Sequence, residues 1–387
     1  MADIVIAGAG IIGCATAVHL LEASPGLDVV LVEPDPTYAQ AATGRGSGGV
    51  RQLFTRPENI ALSQYTLAVI ADWDRWIAAD DTPPPALNWR PGGYLFIAGP
   101  QDLKHLAANF EIQQAHGVDA HWLDPADLAA RYPQLCTEDL AGAVLSPQDG
   151  WLDPSAFFAG VRAKAERQGA AFVTDRVTGF ALTGTTIRSV TLQSGRVLAA
   201  VAVVNAAGTW GPGLAAQAGM PLPVEPMRRH VHYLQPAADL SHLPFIKDPA
   251  GLAIHPYRQG LSVGLVDFSH PGGDNLAIDE AYYDAAVAPA LHRRLPGSSQ
   301  LTLRKTWTGL YDQNRFDGNM IIGNWPGHLD NFYTASGFSG HGLMHALGTG
   351  RALAELITGG EYATLDLSRL AYQRIPDRRP YPEHGIR

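Results

Sequence analysis

The chain's 387 residues, 46% apolar and 17% charged, describe an ordinary globular protein long enough for two closely packed domains. A formal net charge of −9 without a basic run of five residues argues against a nucleic-acid surface, so Arg228–Arg229 and the tail Arg374, Arg378 and Arg379 read as solvated charge. Cys14 and Cys136 make neither a disulfide framework nor a metal site; with no positively charged leader and no run of ~18 apolar residues, the expectation is a cytoplasmic protein without membrane insertion.

The first elements lie in "DIVIAGAGIIGCATAVHLL". A short β-branched strand, Ile4 to Ile6, runs into Gly8-x-Gly10-x-x-Gly13 and a helix, and a second strand, "DVVLVEPD", reaches Glu33 twenty residues past Gly13. Gly8 permits the tight turn and Gly10 lets backbone approach a pyrophosphate. Gly13 lets helix and strand pack, and Glu33 can accept hydrogen bonds from a ribose. The phosphate belongs on the helix N-terminus. Strand, helix, second strand and terminal acid at these spacings point to dinucleotide binding.

A nicotinamide enzyme would continue with alternating βα units. This chain continues instead with a glycine-rich, positive loop, "ATGRGSGGVRQLF" (42–54), and a long amphipathic helix, "ENIALSQYTLAVIADWDRWI". Further on, "AAFVTDRVTGFALTGTTIRSVTLQSGRVLAAVAVVNAAG" reads as three or four strands joined by tight turns, followed by a helix. "WRPGGYLFIAG", "MRRHVHYLQP" and "GLAIHPYRQGLSVGLVDF" read as longer strands of one large antiparallel or mixed sheet. Glycine turns stand at three strand ends, 8–13, 208–213 and 337–342. The last leads into a helix whose Leu343, Leu347, Gly350, Ala354 and Ile357 face the sheet and which Gly359–Gly360 end.

With these turns in place the chain resembles the D-amino-acid oxidase superfamily of FAD enzymes, in particular its glycine oxidase and monomeric sarcosine oxidase branch. The marks are "IVIAGAGIIG" with Glu33, "TGRGSGGVRQLF", "DRVTGF", "NAAGTWGPGLA", "GLYDQNRFDGNMIIG" and "ASGFSGHGLMHALGTG", spread over most of the chain. The resemblance implies a mixed α/β (α+β) fold: a Rossmann-like FAD-binding domain of the glutathione-reductase type from residues 1–85, 146–222 and 318–387, and an antiparallel or mixed β-sheet substrate domain from residues 86–145 and 223–317. It implies that Gly8, Gly10, Ile12, Gly13 and Glu33 hold the adenosine diphosphate, that Val177 lies by the adenine, and that Ala207, Gly208 and Trp210 line the cofactor. Thr43, Gly44, Arg45, Ser47, Gly48 and Gly49 would bring backbone beneath the flavin ring. Gly337, Gly340, His341, Gly342, Leu343 and Met344 would set a helix N-terminus, equivalent to roughly half a positive charge, beside the ring edge that gains charge on reduction.

Candidates for substrate contacts are Arg51, His255, Tyr257, Arg258, Tyr311 and His341. Of these, Tyr257 is expected to face away from His255 and Arg258 along one strand. The resemblance also marks departures. Ser262 falls where sarcosine oxidases carry a lysine for oxygen activation, and Met344 where a second lysine binds the substrate carboxylate. Gly309 falls at the flavin-attachment cysteine of the covalent branch, and Tyr311 at a carboxylate-clamping arginine. The flavin is therefore expected to be noncovalent, with Arg51 or Arg258 as a clamp from another direction. The implied reaction is oxidation of the C–N bond of a small amine or N-substituted amino acid by hydride transfer to flavin N5. The imine formed is hydrolysed by water, and O2 or another acceptor takes the electrons. Two alternatives stay open: a 2-hydroxy-acid or amine dehydrogenase using a quinone or protein acceptor, and a non-catalytic flavin-binding assembly factor or subunit.

Overall fold

A computed structural model describes residues 2–78, 85–235, 240–266 and 273–384. Pro236, which ends "MRRHVHYLQP", and Asp267–Phe268, which end the last of the longer strands read above, lie outside the described residues. The amino end runs β1 (Ala2–Ala7), α1 (Ile11–Ala23), β2 (Val29–Glu33), β3 (Gly49–Val50), α2 (Pro57–Ala71) and α3 (Trp73–Ile77). There follow β4 (Tyr94–Ala98), α4 (Leu103–Ala115), β5 (His121–Leu123), α5 (Pro125–Arg131), β6 (Gly142–Ser146), β7 (Gly150–Trp151) and α6 (Pro154–Arg167). The middle holds β8 (Ala171–Thr174), β9 (Val177–Thr183), β10 (Thr186–Leu192), β11 (Val197–Asn205) and α7 (Gly211–Gln217). The carboxyl half holds β12 (Val224–Gln235), β13 (Phe245–Lys247), β14 (Leu252–Tyr257), β15 (Gly260–Leu265), α8 (Ala288–Arg294), β16 (Thr302–Asn314), β17 (Ile321–Trp325), β18 (Leu329–Ser336) and α9 (Gly342–Gly359).

One sheet has the order β17-β18-β11-β1-β2-β8, with the β9–β10 hairpin joined to the first half of β11. From β18 to β8 the strands run parallel. Parallel strands covered on both faces need continuous apolar runs, which is why Ile4–Ile6 and Val203–Val204 are fully buried rather than alternating. Helices α1 and α9 pack together on one face. There Gly350 is required by space, since a Cβ on it would lie 2.5 Å from the backbone of Ala15. The carboxyl ends of β1, β2, β11 and β18 meet at one edge, the place where open α/β sheets bind ligands.

A second sheet has the order β16-β12-β15-β14-β13-β4-β6-β5 and is mixed, with β4 and β13 the parallel pair. Its two-residue period sorts the strands' side chains. Ile246, Ile254 and Val263 turn to a core closed by Val287 and Leu291 of the α8 region. Their alternates Lys247, Ala253 and Gly264 share a row on the other face, where His255 pairs with Ser262, and Arg229 with Gly309.

Three expectations need correction. The long helix is two, because Asp72 leaves helical geometry (φ −113°, ψ 27°) and turns buried Trp73 against Phe157 of α6, ring centroids 5.4 Å apart. Arg229 is not solvated charge but buried, and so is Arg374, which a 2.8 Å ion pair ties to buried Asp317. His255 and Tyr257, two residues apart in β14, share a face (rings 6.3 Å apart), while Arg258 sits in the following turn with φ 54°. The end of α9 is as expected, with Gly360 at φ 81°.

Candidate active site

A cavity of about 570 Å³ runs along the carboxyl edge of the first sheet. Glu33, Arg176 and Val177 line one end, Gly8, Gly10, Ile12, Thr43, Ala207, Gly208 and Trp210 the middle, and Tyr311, Asp312, Phe338, Gly340, Gly342 and Leu343 the other end. The glycine fingerprint divides its labour. A Cβ on Gly8 would meet Ala206 O at 2.5 Å and one on Gly13 would meet Gly8 O at 2.0 Å, so both are packing glycines. A Cβ on Gly10 meets only Thr43 Oγ1, at 3.6 Å, so its missing side chain leaves room on the cavity side. Gly10 caps α1 without a side-chain hydrogen bond; the Ile11 amide donates to Thr43 Oγ1 at 3.4 Å, and the amides that follow it in the first turn are left for an anion. Glu33 accepts from the amides of Ala9 and Asp35, both at 3.1 Å, and burial raises its pKa.

At the far end, the turn before α9 is held against β16. Asp312 Oδ2 accepts from the amides of Gly337 (2.8 Å) and Phe338 (3.1 Å), and its carbonyl accepts from Ser339 N–H (3.1 Å). Burial pushes the Asp312 carboxyl up to about 6. Gly340, at φ 94°, lies against the Tyr311 ring, where a Cβ would come within 2.4 Å. The cap of α9, His341, makes no side-chain cap bond, so this helix too begins with amides unclaimed by its cap. The residues present therefore fit an elongated dinucleotide: an acid at one end, two open helix N-termini, and close-approach glycines between.

Arg51 is buried behind this end rather than in it. Its guanidinium lies 3.9 Å from the centroid of Phe54 and 4.9 Å from that of Phe96, donates to Leu53 O, and donates to His341 Nε2 at 3.1 Å. Since guanidinium only donates, His341 carries its proton on Nδ1. Burial lowers the Arg51 pKa. Arg51 and His341 thus tie the 42–54 loop to α9 without lining either cavity described here.

A smaller cavity of about 90 Å³ adjoins the first, sharing Ala42, Gly46, Leu310 and Tyr311 with it. The second sheet supplies its other walls, among them Arg229, Phe245, Lys247, His255 and Ser262, and the loop supplies Arg45 and Ser47. Trp151, Phe245 and His255 form a ring cluster, Phe245 stacked on His255 at 4.4 Å. His255 Nδ1 donates to the Pro256 carbonyl at 2.9 Å, and burial pushes the imidazole down to about 4. It is therefore neutral at pH 7, with Nε2 an acceptor that has no hydrogen-bond partner among the described residues.

Among the sequence candidates, His255 and Tyr311 meet at the smaller cavity, and Tyr257 and Arg258 line neither cavity. Gly48 and Gly49 pack instead against Leu152 O and the Tyr94 hydroxyl. Gly13, Gly44, Gly337 and Met344 likewise stand outside the cavity walls. Sequence reasoning missed Arg229, Lys247, Phe245 and Asp312. Two-residue alternation could have put Phe245 and Lys247 on one face of a short strand, but that strand was not among those read from the sequence, and only strand pairing shows that it shares a pocket with Arg229. Cys14 is buried with its thiol 3.2 Å from Ala9 O, and Cys136 lies beside Arg294, so neither lines a cavity. Among the described residues no helix is long and apolar enough to cross a membrane.

Comparison with known proteins agrees with this geometry. The chain matches the family described as FAD dependent oxidoreductase (DAO) over residues 3–356. It is 32% identical over 424 residues to FAD-dependent oxidoreductase domain-containing protein 1 of Bos taurus, covering 99% of this chain and 87% of that one. Sarcosine dehydrogenase, mitochondrial, of Mus musculus is 26% identical over 379 residues, covering 93% of this chain and 40% of that one. Among solved structures, L-proline dehydrogenase from P. horikoshii superposes with a TM-score of 0.87 at 25% identity, covering 98% of this chain and 99% of that one. Glycine oxidase from Geobacillus kaustophilus shares the fold, with a TM-score of 0.82 at 21% identity over 96% and 98% of the two chains. Fingerprint, cavity and relatives agree: the chain belongs to the DAO family of FAD-dependent oxidoreductases, and FAD is its cofactor.

Proposed function

We propose that this protein oxidises the C–N bond of a small amine or amino acid, with FAD held noncovalently along the long cavity and the substrate in the smaller one. The observation that carries the reading is the junction of the two cavities, where Ala42, Gly46, Leu310 and Tyr311 line both. When bound, FAD supplies the two-electron acceptor that takes a hydride from the substrate carbon. The protein's own part is position, a dry pocket and control of protons. In this reading His255 accepts an N–H of the substrate amine at Nε2, and a ring that stays neutral at pH 7 does not repel an ammonium. Phe245 and Trp151 around it exclude water. Loss of hydride from carbon and a proton from nitrogen leaves C=N, which water converts to a carbonyl compound and a free amine or ammonia.

In this reading residues 1–85, 146–222 and 318–387 serve the cofactor and residues 86–145 and 223–317 the substrate. Gly10 and the α1 N-terminus take the pyrophosphate, Glu33 the ribose, and the α9 N-terminus the ring edge. Product analysis tests the proposal. Incubation with small primary and secondary amino acids and an artificial electron acceptor should release a carbonyl compound that a hydrazine reagent traps. No carbonyl product from any of them would contradict it. A second reading concerns the acceptor: relatives named as dehydrogenases of sarcosine and L-proline favour electron transfer to something other than O2. An oxygen electrode decides between them, since an oxidase consumes O2 without added acceptor.

A further inference from the structure

Of the chain's four lysines, Lys104 and Lys305 are exposed, and Lys164 is paired with Glu22 at 2.9 Å. Lys247 is placed differently. It stands partly buried in the wall of the smaller cavity, 5.7 Å from the centroid of the Phe245 ring, and among the described residues its ammonium makes neither an ion pair nor a hydrogen bond. The adjoining acid, Asp248, is taken up by Arg294 at 2.6 Å and does not line the cavity. In the pairing row that Lys247 begins, β14 presents Ala253 and β15 presents Gly264, both cavity-lining. A methyl group and a hydrogen therefore stand beside the amine, and a small molecule in the cavity can reach it.

The surroundings favour the neutral amine. The charged and titratable groups around Lys247 are Arg229 on β12, Arg45 and Arg51 on the loop, His255 on β14, Tyr311 on β16, and Tyr94 on β4 behind Phe245. Among the described residues no aspartate or glutamate lines the cavity. Burial first, then Arg51 and Arg229, push the Lys247 ammonium down to about 7. Desolvation beside other cations is what makes a lysine nucleophilic at neutral pH.

We propose that Lys247 is a nucleophilic amine that takes over the imine carbon formed by substrate oxidation and holds the carbonyl half of the product, an aldehyde or ketone, as a Schiff base. This rests on reading the smaller cavity as the substrate pocket. Nζ gives its lone pair to the C=N carbon, a proton passes from Nζ to the substrate nitrogen, and the bond from the carbon to that nitrogen breaks. The amine leaves. Nζ stays doubly bonded to the carbon until water adds, restores the lysine amine and frees the carbonyl compound. The carbon keeps its oxidation level throughout, so no electrons are needed beyond those already passed to FAD. The same amine takes up a free aldehyde or ketone with loss of water. The exchange lets the amine depart from a pocket that Phe245 and Trp151 keep dry, before water has to enter it.

Incubating the holoenzyme with acetone and cyanoborohydride tests this without turnover, because reduction of the Schiff base leaves an isopropyl group fixed on the lysine that formed it. Peptide maps then score each lysine separately and keep these adducts apart from one on the terminal amine. At pH 7.5 Lys247 should react at least about tenfold faster than Lys104 or Lys305, since exposed lysines titrate near about 10 and are almost wholly protonated there. Its rate should rise by up to about tenfold per pH unit below pH 7 and level off above, while the exposed lysines go on rising. Lys247→Met protein that retains FAD should lose the fast adduct from its intact mass. A Lys247 no faster than Lys104, a rate still climbing tenfold per unit above pH 8, or an undiminished fast adduct in Lys247→Met would overturn the proposal. The comparison among wild-type lysines stands even if the variant fails to fold. Carbonyl product from amines in a protein whose Lys247 reacts no faster than Lys104 would sink this inference and leave amine oxidation intact.

Discussion

At the scale of single residues, the fingerprint glycines make unlike demands that substitution can separate. Gly10→Val should fold, because the nearest protein atom to its Cβ is 3.6 Å away, yet it should purify nearly colourless because the branched side chain occupies pyrophosphate space. Gly13→Val should fail to give soluble protein, since its Cβ would lie 2.0 Å from a backbone oxygen. Normal flavin content in Gly10→Val would contradict the assignment of the α1 N-terminus. Arg51 is a positioning residue here, acting through His341. Losing its hydrogen bonds in Arg51→Met should cost about 1.5–3 kcal/mol in urea unfolding.

At the scale of elements, the turn before α9 depends on one carboxylate. Asp312 holds the Gly337 and Phe338 amides on a single oxygen, which an asparagine also offers. Asp312→Asn should therefore retain FAD, whereas Asp312→Leu leaves two buried donors unsatisfied, at a cost of about 2–5 kcal/mol, and should lose it. The pH sign follows from burial. Asp149 and Asp312 titrate at about 6 in the folded protein, above the usual carboxylate value, so the folded state holds their protons more tightly. Their contribution to stability is greatest below about pH 4, declines as pH rises through the window to 6, and is level beyond. Asp312→Asn should flatten part of that decline in urea unfolding measured at pH 5 and 7.5, and an unchanged slope would show that Asp312 does not titrate there. This turn was legible as a glycine-rich strand-to-helix junction. Its lock was not, because Asp312 stands 25 residues before the amide it holds and nothing local marks the pairing.

At the scale of the whole molecule, the cofactor sheet was legible and the substrate pocket was not. Parallel strands buried on both faces write themselves as apolar runs, and close-approach glycines are visible as glycines, so β1, β11, β18 and the turns after them could be read directly. The pocket is built by pairing between strands far apart in the chain, and Arg229, adjacent to Arg228 in sequence, looked like surface charge until β12 was placed between β15 and β16. Long-range closure also comes from the tail. Glu383 accepts from Thr55 N–H and Oγ1–H at 2.7 and 2.6 Å and from Asn59 Nδ2 at 2.9 Å, tying the carboxyl end to the start of α2 just past the site loop. Glu383→Gln turns donor toward donors and should lower unfolding stability by about 2–4 kcal/mol, with looser FAD on gel filtration. An unaffected variant would mean the tail does not support the loop. In the function proposed, a ligand in the smaller cavity hands electrons to FAD in the larger. The most direct measurement of that transfer is the yellow absorbance of the purified holoprotein under anaerobic addition of a panel of small amino acids, 2-hydroxy acids and simple amines. At least one amino acid or amine should bleach the flavin in stoichiometric amount. Absorbance unchanged by every amino acid, 2-hydroxy acid and simple amine tried would contradict the account and mark the protein as a flavin carrier without this chemistry.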